Sequence, residues 1–217
     1  MIKGYEGFIF DLDGVVVSTD DCHYKAWKQI ADEEGIYFDR EINQRLRGVS
    51  RMESLEIVLE RRNREYSDEE KTEMAERKNG YYKELIKSLE PTAILEGAVE
   101  FITALREKGV KTAIGSSSKN AVPILERLNL THLFDAIADG NDIKNSKPAP
   151  DVFLKAAEKL ELDANKCVVV EDADAGVEAA LAANMDVIAV GFASANPKAT
   201  YKGENLADKN PLETIFA

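Results

Sequence analysis

Short apolar runs alternating with longer amphipathic stretches constrain this chain more than anything else in it. The runs are "GFIF" at 7–10, "KTAI" at 111–114, "DAIA" at 135–138, "CVVV" at 167–170 and "DVIAV" at 186–190. Between them stand "GAVEFITALREKG" (97–109), "NAVPILERLNL" (120–130), "DVFLKAAEKLEL" (151–162) and "AGVEAALAAN" (175–184). Their apolar residues recur at helical spacing, as Val152, Leu154, Ala156 and Leu160 do. Strands alternating with helices of this length predict βαβ units and a parallel sheet covered on both faces. The expected fold class is α/β, a doubly wound, Rossmann-like core.

The stretch between the first run and Gly97 breaks this alternation. It is rich in charge and reads as helix throughout: "HYKAWKQIADEEG" (23–35), "DREINQRLRG" (39–48), "MESLEIVLERR" (52–62) and "SDEEKTEMAERKNGYYKELIKSL" (67–89). Ser67 followed by Glu70 has the pattern of a capping box. The expected organisation is a core of residues 1–16 and 93–217, with a helical cap of residues 17–92 inserted after the first strand.

The composition narrows the partners. Net charge is −12, which disfavours a nucleic acid. No apolar run reaches the ~18 residues that suggest a membrane span, and no stretch has a signal-peptide layout. Cys22 and Cys167 are far apart and read as reduced thiols, Cys167 in a buried strand, as suits a cytoplasmic protein. With 217 residues and 44% apolar content the chain can bury one sizeable core and an inserted subdomain.

Polar residues collect where the strands end. The first run leads into Asp11, Asp13 and Gly14; "KTAI" leads into "GSSSKN" (115–120); "DAIA" leads into "DGNDIKNSKPAPD"; "CVVV" leads into Glu171, Asp172, Ala173 and Asp174. Any one of these reads equally well as a turn, a helix cap or a solvated loop. Together they mark one edge, and in open α/β sheets ligands bind beyond the carboxyl ends of the strands. Alternation of side chains along a strand puts Asp11 and Asp13 on one side if the strand persists that far.

"DLDGV", "GSSSKN", "KPAPD" and "VVVEDADAG" stand in the order and spacing of the haloacid dehalogenase superfamily of phosphotransferases, and the resemblance covers nearly the whole chain. "HYKAW" (23–27), "LRGVSR" (46–51), "AERKN" (75–79), "SSSKN" (116–120) and "NSKPAPD" (145–151) resemble its β-phosphoglucomutase branch. The resemblance implies an aspartyl-phosphate enzyme with Asp11 as nucleophile, since a carboxylate can carry a phosphoryl group. It implies Mg²⁺ held by Asp11, the main-chain carbonyl of Asp13, Glu171 and Asp172, because an anion attacks a phosphoryl group only when repulsion is cancelled. Asp13 would be general acid and base. Ser116 and Lys147 would hold the transferring phosphoryl oxygens.

The resemblance also assigns Ser118, Lys119 and Asn120, at the expected start of a helix, to the second phosphate of a sugar bisphosphate, together with Arg51 of the cap. His23, on its own a structural histidine of an amphipathic helix, becomes a substrate contact, as do Thr19 and Lys78. Gly48 and Val49 offer backbone groups to the sugar. Trp27 lines the sugar pocket or packs the cap. Arg47 stands where the branch has a lysine, Ser18 where an acid is common, Glu96-Gly97 where Pro-Gly is usual, and the tail after Gly191 matches poorly. The expected substrate is a small phosphosugar, with a monomeric enzyme interconverting β-D-glucose 1-phosphate and glucose 6-phosphate through β-glucose 1,6-bisphosphate. A phosphatase using the same residues is the alternative. A phospho-receiver domain has no need of a large cap or of Asp13.

Overall fold

A computed structural model describes residues 4–208 of the chain, so the ends of the expected core range lie outside the described residues. Six strands form one parallel sheet: β1 (Gly7–Phe10), β2 (Lys111–Gly115), β3 (Ala136–Ala138), β4 (Cys167–Glu171), β5 (Asp186–Ala189) and β6 (Tyr201–Lys202), in the order β3-β2-β1-β4-β5-β6. The helices are α1 (Asp20–Glu33), α2 (Arg40–Gln44), α3 (Arg51–Val58), α4 (Asp68–Ile86), α5 (Ala98–Glu107), α6 (Ala121–Arg127), α7 (Asp151–Leu160) and α8 (Asp174–Ala182). The α/β reading of the sequence holds, with helices on both faces of the sheet.

The chain divides into two compact units, residues 1–18 with 90–217, and residues 19–89. In the first, β1 shows why the sheet needs cover on both faces. Phe8 and Phe10 point to one side, where Phe101 of α5 meets both rings edge-on at 5.9 and 6.0 Å. Ile9 points to the other, into a cluster with Ala113, Phe153 and Val152 of α7, Val169, and Val177 of α8. All of these are buried. The second unit has its own core of Trp27, Ile30, Phe38, Leu55, Leu59 and Met74.

Strand β6 lies in the tail that matches the superfamily poorly. Only two residues long, it pairs with β5 and carries Tyr201, whose hydroxyl is 3.1 Å from that of Tyr5. Tyr5 in turn donates to Asp186 at 2.6 Å. No helix among the described residues is long and apolar enough to cross a membrane.

Candidate active site

The strand order reverses between β1 and β4, where connections leave the sheet in opposite directions, and in open α/β sheets ligands bind at the carboxyl edge of such a point. Asp11 follows β1 there, its N–H still bonded to the Val170 carbonyl at 2.9 Å. Glu171 ends β4 and Asp172 follows it. Asp11, Glu171 and Asp172 are all buried, and one carboxylate oxygen of each lies within 4.8 Å of the others. Lys147, from the loop before α7, joins them. Its Nζ donates to Asp11 Oδ1 at 2.6 Å and to Glu171 Oε1 at 2.5 Å.

Burial by itself disfavours a charged lysine, but the Asp11 and Glu171 carboxylates outweigh it and hold the Lys147 pKa above the ordinary value. Burial also pushes the Glu171 carboxyl upward, against the pull of Lys147. Three carboxylates gather here, and one ammonium pairs with two of them, Asp11 and Glu171. Hard oxygen donors with an excess of negative charge, closed away from water, are the donor set for a divalent cation of the Mg²⁺ kind. The cluster can therefore hold a metal ion, and the Asp13 side chain is not part of it.

The conditional expectation for Asp13 is corrected by the backbone. β1 stops at Phe10, and a tight loop follows: Val16 and Val17 N–H both bond to the Leu12 carbonyl at 3.0 Å, and Gly14 N–H to that of Val17 at 2.8 Å. Strand alternation ceases to set the direction of Asp13, which is half-buried and bridges to Val17. Gly14 is obligatory, with φ +86° and Asp172 Oδ2 only 2.0 Å from where a Cβ would stand.

Beyond β2, Ser116 N–H bonds to the Ala138 carbonyl at 3.1 Å, and two hydroxyls fold the loop on itself. Ser118 N–H donates to Ser116 Oγ and Asn120 N–H to Ser118 Oγ, each at 3.2 Å. These side-chain bonds compete with helical ones. Helix α6 thus starts at Ala121, and Ser118 and Lys119 lie in the turn before it, with Asn120 as N-cap, rather than in the helix. The loop after β3 braces this turn: Gly140 N–H donates to the Ser118 carbonyl at 3.1 Å and the Asn141 amide to that of Lys119 at 3.2 Å. Ser117 accepts from Lys147 N–H at 3.5 Å. Sequence reasoning missed Ser117, Gly140 and Asn141, since their partners are distant in the chain.

Within the helical unit, Thr19, His23, Trp27 and Lys78 come together. Lys78 is buried, its Nζ 2.8 Å from His23 Nδ1 and 4.9 Å from the centre of the Trp27 ring. Tyr82, which the sequence reading missed, completes the group. Its hydroxyl is 2.9 Å from Thr19 Oγ1 and its ring 4.2 Å from that of His23. The signal for it was present, because Lys78 and Tyr82 are four apart on α4 and share a face. Trp27 is 1% exposed and sits in that unit's core. Partial burial with the charges of Lys78 and Arg51 holds the His23 pKa well below the usual histidine value.

Gly48 is exposed with φ +71°, and Val49 is half-buried beside it, in the loop before α3. Arg51 is the first residue of that helix, half-buried, and donates to Asn79 Oδ1 at 3.0 Å. In the same unit Arg40, Arg45, Arg47, Arg62, Arg64 and Arg77 are each ion-paired, Arg47 with Asp20. Arg61 lies over the Tyr37 ring. Among the described residues Arg51 has a neutral amide and no carboxylate within ion-pair distance.

A doubly wound sheet with an acid–lysine cluster at its reversal point and an inserted helical unit defines a class of enzyme. Residues 8–190 match the haloacid dehalogenase-like hydrolase family, and the chain belongs to it. It is 43% identical over 185 residues to beta-phosphoglucomutase of Bacillus subtilis (strain 168), covering 84% of this chain and 82% of that one. It is 34% identical over 194 residues to the fructose-1-phosphate phosphatase YqaB of Escherichia coli (strain K12), covering 88% and 98%. The crystal structure of beta-phosphoglucomutase from Clostridium difficile superposes with a TM-score of 0.88 at 38% identity, covering 98% of this chain and 97% of that one.

Proposed function

We propose that this enzyme is a Mg²⁺-dependent phosphosugar mutase that interconverts β-D-glucose 1-phosphate and glucose 6-phosphate. The observation that carries the reading is Arg51. A guanidinium with no carboxylate within ion-pair distance among the described residues, at a helix N-terminus whose dipole disfavours a cation, is suited to an anionic ligand. A hydrolase of a monophosphate has no second phosphate to hold. A mutase handles a bisphosphate and must hold whichever phosphate is not being transferred. On this reading Arg51, Ser118, Lys119 and Asn120 take that phosphate, and Thr19, His23, Trp27, Gly48, Val49 and Lys78 serve the sugar.

Phosphorylated Asp11 gives its phosphoryl group to a sugar hydroxyl: the new P–O bond forms as the bond to the Asp11 oxygen breaks, and Asp13 takes the hydroxyl proton. The β-glucose 1,6-bisphosphate turns round. Asp11 then attacks the other phosphorus, the sugar oxygen leaves, and Asp13 returns the proton to it. Lys147 and Ser116 hold the equatorial oxygens, with Lys147 kept charged by Asp11 and Glu171. Mg²⁺, held by Asp11, Glu171, Asp172 and the Asp13 carbonyl, would supply neutralisation of the phosphoryl charge. The same reading makes the enzyme a cytoplasmic monomer that takes a small phosphosugar and neither nucleic acid nor membrane.

The 34% identity to a fructose-1-phosphate phosphatase supports a second reading, in which water accepts the phosphoryl group. A coupled assay with β-glucose 1-phosphate and a catalytic amount of the bisphosphate, run beside phosphate release, separates the two. Glucose 6-phosphate without stoichiometric phosphate supports the mutase; stoichiometric phosphate supports the phosphatase.

A further inference from the structure

We propose that Gly176 is a positioning residue: the space left by its missing side chain is the seat of the Glu171 carboxylate. The proposal rests on the reading of Glu171 as a metal ligand. A Cβ on Gly176 would stand 1.9 Å from Glu171 Cδ, 2.0 Å from Oε1 and 2.4 Å from Oε2, far inside the 3.0 Å below which something must shift. Gly176 is the third residue of α8, and its φ is not in the left-handed region. The backbone there has no need of glycine, and alanine is the better helix former. The requirement is for space.

Glu171 is 1% exposed and tied on both oxygens. Oε1 accepts from Lys147, and Oε2 accepts from Asp172 N–H at 2.9 Å and Ala173 N–H at 3.0 Å. An added methyl meets the far end of a side chain rather than backbone. What yields is therefore the carboxylate, along with its three hydrogen bonds, while the helix stays. Loss of an outer partner of a metal ligand of this kind weakens metal binding by roughly 10–100-fold.

The test compares Gly176→Ala, Glu171→Asp and the double variant in the full chain. Amide exchange at Asp172 and Ala173, followed by NMR in EDTA, reads the seat without any metal. Mg²⁺ titration calorimetry reads the site. In Gly176→Ala both amides should exchange at least about tenfold faster and Mg²⁺ affinity should fall about 10–100-fold. The double variant should bind no worse than Glu171→Asp alone, because the shorter side chain does not need the space. Exchange and affinity both within about twofold of the parent would overturn the proposal, as would additive losses in the double variant. If Gly176→Ala does not fold, recovery of folding in the double variant supports the proposal, and failure to recover overturns it. A parent chain that binds no Mg²⁺ overturns the metal reading, and amide exchange then decides the seat by itself.

Discussion

Asp11 and Lys147 lie 2.6 Å apart in a buried cluster, so each sets the other's chemistry. Replacing Asp11 with Asn keeps the shape but removes the oxygen that, on the proposed mechanism, carries the phosphoryl group. Asp11→Asn should fold, because Lys147 retains Glu171, and should lose turnover by more than about 10⁴-fold in the coupled assay. Substantial residual activity would remove Asp11 as nucleophile. His23 gives a second test. Its Nδ1 accepts from Lys78, which leaves the proton on Nε2, and its pKa lies well below the usual value. The unfolded chain takes up a proton near about pH 6.5, where folded His23 does not. His23 therefore costs stability as pH falls through that value, and nothing above it. NMR should find its ring still neutral at the ordinary histidine midpoint of about 6.5, with Lys78→Met raising its midpoint; a parent midpoint near about 6.5 would count against the geometry.

At the scale of elements, helix starts were legible because their chemistry is local. The Ser67–Glu70 box opens α4 as expected: Ser67 Oγ accepts from Glu70 N–H at 3.3 Å, and Glu70 accepts from Ser67 N–H at 2.8 Å. Ser67→Ala should lower stability by about 1 kcal/mol in urea unfolding, with activity unchanged. Ser50 and Glu53 form the same box at α3, directly before Arg51. Elements set by distant partners were less legible. Helix α6 begins at Ala121 and not at Ser118, because Ser116 and Ser118 take the backbone N–H groups before it. Strand β6 has too few residues to show a period, and only its pairing with β5 makes it a strand.

Over the whole molecule, the order β3-β2-β1-β4-β5-β6 brings Asp11 to Lys147, Glu171 and Asp172 although it is more than a hundred residues from each of them. The other unit supplies the property that distinguishes the two functional readings. Arg51→Ala should cut mutase flux about tenfold to a hundredfold, as befits the loss of a charge-assisted bond to phosphate of about 1.5–3 kcal/mol. Phosphoryl transfer from a small donor such as acetyl phosphate should fall far less, since that donor has no second phosphate. Equal losses in both assays would favour the phosphatase.

The sequence by itself determined the α/β class, the five longer strands, the helical insertion and the acids at the strand ends. Those rest on periodicity, turn chemistry and residue type, all readable within a few residues. Tertiary structure decided which of those polar residues share a site. Only the sheet order makes Lys147 the common partner of Asp11 and Glu171. Only the packing of α8 on β4 turns Gly176 from a helix glycine into the seat of a carboxylate. Only the fold of the helical unit sets Tyr82 against Thr19 and His23 and leaves Arg51 with an amide for a partner. Charge and hydrogen bonding act over a few ångströms in space, and a linear chain records separation only along itself.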